Sequence, residues 1–377
     1  MSDTVPGQPL LTPARLGDLA LPNRIVMAPL TRMRADNPAQ APTPLHARYY
    51  AQRAGAGLII TEDTAVSPQA VGWADTPGLW STEQVRGWRT VTDAVHEAGG
   101  RIVAQLWHTG SLSHPDLLGG ATPLSASAVD PRQLSVTATG RKPTVVPRAM
   151  SRADIRQVVA DYATAARNAT RAGFDGVQIQ ANYVYLIAQF LNSATNLRTD
   201  EYGGSVENRA RLLFEILDSV SEVVDASRIG VKAGPMHESG PFAAHQDTLP
   251  TWEYVISRLA GHGLSHLLLM GATHDLTGTA LEELAGDGMF RHFRPLYPGT
   301  LIANVDMDRE RGNRLIAEGL ADLVAYGRPF IANPDLPARF AAGAPLAEPD
   351  WNTVYAAGPA GYTDYPPLLP ALSTTAS

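Results

Sequence analysis

The chain has 377 residues, 44% hydrophobic and 18% charged, with 33 Gly and 29 Pro spread along it, a globular composition rich in turns that excludes collagen-like and disordered classes. Lys and Arg number 30 against 37 Asp and Glu, a net charge of −7 with no basic run, so nucleic acid is not an expected partner. With no cysteine there are no disulfides, thiolate nucleophiles or Cys-ligated metal sites, and chemistry must come from oxygen, nitrogen or a cofactor.

Short β-rich runs alternate with amphipathic segments, the signature of βα units around a parallel sheet. In chain order the expected strands are Arg24–Ala28, Gly57–Asp63, Arg101–His108, Gly176–Gln180, Ile229–Ala233, His266–Met270, Thr300–Asn304 and Ala321–Ala325. The expected helices are Leu45–Arg53, Glu83–Glu97, Arg152–Ala172, Val206–Val224, Thr251–Ala260, Leu281–Leu284, Arg309–Glu318 and Pro334–Ala341. Ser151 with Asp154 three residues on resembles a capping box with Asp in place of Glu, which gives the third helix a defined start. Eight strands with eight helices predict an α/β fold, a (β/α)8 TIM barrel, whose usual size is ~250 residues. The surplus falls into insertions: the expectation is a single domain over 1–377, with the barrel at about 23–343, a proline-rich lid insertion after strand three at 111–150 and a C-terminal extension at 344–377. An open doubly wound sheet would need a glycine-rich turn after its first strand, where the chain reads Ala28-Pro29-Leu30-Thr31. No segment approaches the ~18 apolar residues of a membrane span. Met1–Pro9 also lacks the charged start and apolar centre of a secretory signal, so the expectation is a cytoplasmic protein without a membrane partner.

In such a barrel the active residues sit at the C-terminal ends of strands, and here those ends are polar. On strand three, alternation places Val103, Gln105 and Trp107 on one face. On strand five, Ile229, Val231 and Ala233 form the helix-facing row and Lys232 points inward. An inward lysine needs an anion or strong acceptor, unless it snorkels to solvent from the rim. Strand four runs on as Gln178-Ile179-Gln180-Ala181-Asn182-Tyr183-Val184-Tyr185, which gathers amides and phenols at one strand end.

Several longer strings carry a resemblance. Asn23–Arg32, Tyr49–Arg53 with Gly57–Glu62, Gln105–His108, Asn196–Arg209, Gly327–Leu336 and Gly361–Pro366 resemble, in order, motifs of the old yellow enzyme family of FMN-dependent ene reductases. The resemblance implies a TIM barrel holding FMN at its strand ends, reduced by NAD(P)H and reoxidised by a carbonyl-conjugated alkene. It also implies a small-molecule substrate as partner, and a monomer or homodimer. Tyr185 matches the family's proton donor, with a core tyrosine as the alternative. By the same resemblance Pro29, Leu30 and Thr31 adjoin the flavin, Thr31 at its carbonyl edge, and Gln105 meets the pyrimidine edge. Trp107 lines the substrate pocket, as do Trp73 and Tyr355, for which ordinary barrel packing is nearly as good an account. The phosphate falls to the loop after strand seven, with Asn304 and Val305, and to Gly327 and Arg328, whose guanidinium suits a dianion.

Departures from the family concentrate around the ring system. The family histidine that holds the substrate carbonyl, and its partner three residues later, are here Gln180 and Tyr183; both still donate hydrogen bonds, but neither becomes a cation. Lys232 replaces an arginine, and Ser111 stands where another arginine is usual. Asp63 replaces a small residue and would oppose an anionic reduced flavin unless it pairs with Lys232 or turns away. Val305 replaces a glycine, where a side chain crowds the phosphate approach. The scaffold is kept and the chemistry altered. Two expectations follow: an ene reductase-like oxidoreductase for a bulky or specialised-metabolite substrate, or a flavin-poor isomerase or cyclase using Tyr185, Tyr183 and Asp63 in acid-base roles. A silent binding protein on the same barrel is a third.

Overall fold

Eight parallel strands close on themselves in the structure, a computed structural model that describes residues 7–182, 184–235 and 240–368. They are β1 (Ile25–Met27), β2 (Leu58–Ile60), β3 (Ile102–Trp107), β4 (Gly176–Gln180), β5 (Ile229–Ala233), β6 (His266–Met270), β7 (Leu301–Asn304) and β8 (Leu323–Tyr326). Each pairs with the next in sequence and β8 pairs back to β1, so the sheet has no free edge. Every one overlaps a run expected from the sequence.

Strand alternation sorts the apolar side chains into two layers. Val26, Leu58, Ile60, Val103, Leu268, Ile302 and Leu323 fill the barrel, while Ile25, Ile59, Val177, Val231 and Leu267 pack outward against helices. A hairpin of Ala14–Leu16 and Leu19–Leu21 contributes Leu16 and Leu21 to the interior cluster. Its turn residue Gly17 has φ +54°, and a Cβ there would stand 2.5 Å from the Ser227 carbonyl oxygen. The hairpin therefore plugs the end where β5 begins, opposite the end where catalytic residues are expected.

The helices are α1 (Pro44–Ala51), α2 (Thr82–Glu97), α3 (Arg152–Arg171), α4 (Leu186–Leu191), α5 (Val206–Ser221), α6 (Thr248–Leu259), α7 (Gly288–Phe293), α8 (Arg309–Ala317), α9 (Arg328–Ala332) and α10 (Leu336–Ala342). α3 starts at its capping box, where Ser151 Oγ accepts the Asp154 N–H and Asp154 accepts the Ser151 N–H at 2.7 Å. The helix expected at Leu281–Leu284 is a 3-10 turn, Glu282–Leu284, and the α-helix lies beyond it at α7, anchored by Met289, Phe290 and Phe293. Four residues are too few to show a helical period. α4 has no expected counterpart because it is buried on every side and so carries no amphipathic pattern. The segment after β3 is broken by prolines as expected, yet it holds a hairpin of Leu134–Thr137 and Gly140–Pro143, from which Val136 bridges to Trp73. Among the described residues no helix is long and apolar enough to cross a membrane.

Candidate functional site

Within the barrel the aliphatic filling gives way to a polar chain. Gln105 Nε2 donates to Gln178 Oε1 at 2.8 Å, Gln178 Nε2 lies 2.8 Å from His266 Nε2, and His266 Nδ1 lies 2.9 Å from Ser265 Oγ. Burial lowers the His266 pKa to about 3, so the ring is neutral and its Nε2 accepts from Gln178. The amide orientations follow in series and leave Gln105 Oε1 buried without a partner, an acceptor available to an occupant of the barrel. Gly230 makes room for this chain, since a Cβ there would come within 2.1 Å of the His266 ring.

A cleft of two adjoining lobes opens at the C-terminal strand ends. One lobe, about 330 Å³, is lined by Thr31, Asp63, Trp73, Gln180, Tyr185 and Tyr355. The other, about 530 Å³, takes in Asn304, Val305 and Gly327. Pro29, Leu30, Lys232 and Arg328 line both. Gln105 and Trp107 are fully buried rather than cleft-lining, with Trp107 edge-on to Tyr185 at a centroid distance of 5.3 Å. Tyr183 lies outside the described residues. Met270, Trp351 and Asp306 line the cleft without having been singled out in the sequence. Met270 ends β6 and the strand-end rule points to it; Trp351 sits in the C-terminal extension, where no motif marks it.

The framework behind these side chains is rigid. Tyr185 immediately precedes α4, whose Gln189 donates its N–H to the Tyr185 carbonyl at 2.9 Å. The buried Gln189 amide also bonds Val184 O, Thr109 O and the Ser111 N–H, tying the loop after β3 to the base of the tyrosine. Trp351 and Tyr355 arrive from the C-terminal segment, which two buried arginines clamp. Arg34 donates to the carbonyls of Thr353, Val354, Gly358 and Ala360, and Arg32 donates to Gly361 O at 2.6 Å. Tyr355 meets Trp73 at 5.8 Å between ring centroids.

Two adjacent carboxyls at the end of β2 are strongly perturbed. Burial pushes Asp63 up to about 6 against the lowering effects of the Lys232 ammonium and the Thr31 hydroxyl, while burial pushes Lys232 down against the pull of Asp63. Asp63 Oδ1 nevertheless has no hydrogen-bond partner. One carboxyl oxygen of this cleft-lining residue is thus a buried acceptor without a partner, while the carboxyl also feels the Thr31 hydroxyl and the Lys232 ammonium. Glu62 is pushed by burial up to about 7, although the Arg32 N–H donates to it at 3.1 Å. Because the folded chain holds this proton more tightly than the unfolded one, the contribution of Glu62 to stability is full below about 4.5 and is lost as pH rises through about 7. Glu62→Gln is therefore expected to flatten the fall in unfolding free energy between pH 5 and 8 by roughly 3 kcal/mol. Denaturant titrations at the two pH values check this, and parallel curves for parent and variant would refute it.

The loop after β7 is strained. Val305 and Asp306 have φ of +82° and +54°, the left-handed region that favours glycine and is costly for a β-branched residue. Arg311 holds it there, donating to Val305 O at 3.4 Å and Asp306 O at 3.0 Å while its Nε bonds Asp287 at 2.9 Å. The glycine expected at Val305 is thus a matter of backbone conformation as well as of space.

A sequence model of the NADH:flavin oxidoreductase / NADH oxidase family matches residues 9–347. The chain belongs to this family, the old yellow enzymes. Putative 12-oxophytodienoate reductase 4 of Oryza sativa subsp. japonica is 41% identical over 372 residues, covering 95% of this chain and 93% of the relative. A flavin oxidoreductase of Emericella nidulans is 37% identical, covering 97% and 99%. Among solved structures, morphinone reductase superposes with a TM-score of 0.89 at 42% identity, covering 96% of this chain and 97% of its own, and the old yellow enzyme homologue from Zymomonas mobilis gives 0.89 at 40%, covering 96% and 99%. Membership makes the chain an oxidoreductase with FMN and a nicotinamide reductant as its cofactors, as the motifs implied. Its residues fit an old yellow enzyme's flavin: the buried Gln105 Oε1 is an unpartnered acceptor, Lys232 and Arg328 line both lobes of the cleft, and at Gly327, beside Arg328, a Cβ would meet only side-chain carbons no nearer than 3.4 Å.

Proposed function

We propose that the chain is an FMN-dependent ene reductase that reduces the C=C bond of a carbonyl-conjugated alkene, with a bulky specialised metabolite as substrate, NADPH or NADH as reductant, and the cytoplasm as its setting. The observation that carries this is the shared cleft, in which Tyr185 and Gln180 open onto the same lobe as Lys232 and that lobe adjoins the one leading to Gly327. When bound, FMN supplies hydride to the β-carbon. Gln105 Oε1 would accept from a pyrimidine N–H, Thr31 would lie at the carbonyl edge if its hydroxyl turns from Asp63, and Lys232 would set a positive charge beside the ring. Gln180 and Tyr183 donate to the substrate carbonyl. Tyr185, steadied edge-on by Trp107, delivers the proton to the α-carbon. A bulky substrate is supported by the walls: Trp351 and Tyr355 are 57% and 48% exposed, an open aromatic rim suited to a broad apolar face.

A second reading is favoured by one feature, the free Oδ1 of Asp63 in the lobe that also holds Tyr185. A carboxyl with a pKa about 6 opposite a phenol suits a flavin-independent isomerase or cyclase. Colour separates the two. The purified protein is expected to be yellow and to release FMN on denaturation, whereas colourless protein with no spectral shift in excess FMN would overturn the first reading and favour the isomerase or a silent binding protein.

A further inference from the structure

The outer lobe of the cleft carries an unusual charge set for a site that takes a phosphate. Its charged lining is Lys232 and Arg328 against Asp306 and Glu348, so the four formal charges cancel. A phosphate monoester brings about −1.5 to −2 at pH 7. Arg328, the guanidinium best placed for that dianion, is already engaged: its Nη2 lies 3.6 Å from Asp306 Oδ1, with the two side chains 67% and 80% exposed.

We propose that Asp306 is a built-in competitor for the phosphate, a carboxylate fixed by the left-handed loop where it holds Arg328 and weakens FMN binding. This rests on the FMN reading above. The loop fixes the Asp306 backbone at φ +54° next to Val305 at +82°, with Arg311 donating to both carbonyl oxygens, so the carboxylate stays within side-chain reach of Arg328. The ion pair itself is long and exposed, so it yields to a dianion rather than closing the site. Asp306 therefore sets affinity without abolishing binding, and its influence falls on the phosphate, since it lines only the outer lobe, away from Thr31 and Tyr185 in the other.

Asp306→Asn removes the charge and keeps the backbone, because asparagine is among the residues that tolerate left-handed φ. Equilibrium titration of the flavin-stripped full chain with FMN and with riboflavin, read by flavin fluorescence at low and high salt, tests the assignment. The expected result is about tenfold tighter FMN binding at low salt, a gain that shrinks at high salt, with riboflavin affinity unchanged within about twofold. Glu348→Gln, which removes the other carboxylate of the lobe, is expected to change FMN affinity less than about twofold, because Glu348 does not hold Arg328. An equal shift for both flavins, no shift for FMN, or an equal gain from Glu348→Gln would each overturn the proposal. A parent chain that binds neither FMN nor riboflavin would overturn the FMN reading and this proposal together, whereas a parent that binds both while Asp306→Asn changes nothing would overturn this proposal alone.

Discussion

Replacing Tyr185 by phenylalanine is expected to lower turnover roughly 10²- to 10⁴-fold, the range for loss of a general acid, while leaving ligand affinity within a few-fold. The separation of the two effects has a structural basis. Tyr185 is 8% exposed and its ring packs edge-on against Trp107, an apolar contact that phenylalanine reproduces. Its backbone is fixed by the Gln189 N–H, which the substitution does not touch. Only the phenolic hydroxyl is removed, the group that the proposed mechanism uses in the transition state. Anaerobic single-turnover reoxidation of the reduced enzyme by its substrate isolates the step, with ligand titration of the oxidised enzyme as the control. A rate unchanged within threefold would reassign the proton to another group, Tyr183 first, or to solvent.

The barrel was legible because its strands are short apolar runs at the right spacing, and Gly176–Gln180, Ile229–Ala233 and His266–Met270 match the expected bounds to the residue. The inward placement of Lys232 was legible for the same reason, since a period of two leaves it no other face once Val231 and Ala233 pack outward. What alternation cannot give is the relation between strands. The chain from His266 through Gln178 to Gln105 joins three strands whose neighbours are far apart in sequence, and no local pattern marks it. Asp306 was overlooked for a different reason. Its role depends on a backbone angle and on Arg311, which lies one helical turn into α8, so the string Asn304-Val305-Asp306 reads as an altered glycine site and not as an opposing charge. The short helices α4 and α9, of six and five residues, fall below the length at which a helical period is visible.

Small cyclic enones are expected to be poor substrates, and the double change Gln180→His with Tyr183→Asn is expected to raise their rate of reduction by at least about tenfold. Reduction places growing negative charge on the carbonyl oxygen, and each donor aimed at that oxygen is worth roughly 3 kcal/mol in comparable oxyanion sites. Gln180 stands at the end of β4 in register with Lys232, 3% exposed and with its Oε1 unpartnered, so it reaches the cleft but brings only a neutral amide. A histidine at the same place offers a ring N–H that is a more acidic donor than an amide and can take up charge as the oxyanion develops, although burial disfavours its charged form in the resting site. Asparagine at 183 substitutes a shorter amide donor for a phenol. The same changes are expected to slow the native reaction if, as proposed, a larger substrate is held by the aromatic rim. Comparing flavin reoxidation by cyclohexenone in parent and double variant, anaerobically and at matched FMN content, decides the matter. If the parent reduces cyclohexenone briskly and the variant is no faster, Gln180 and Tyr183 perform the ordinary carbonyl-holding role with different atoms, and the departures around the ring leave the substrate class of the family intact.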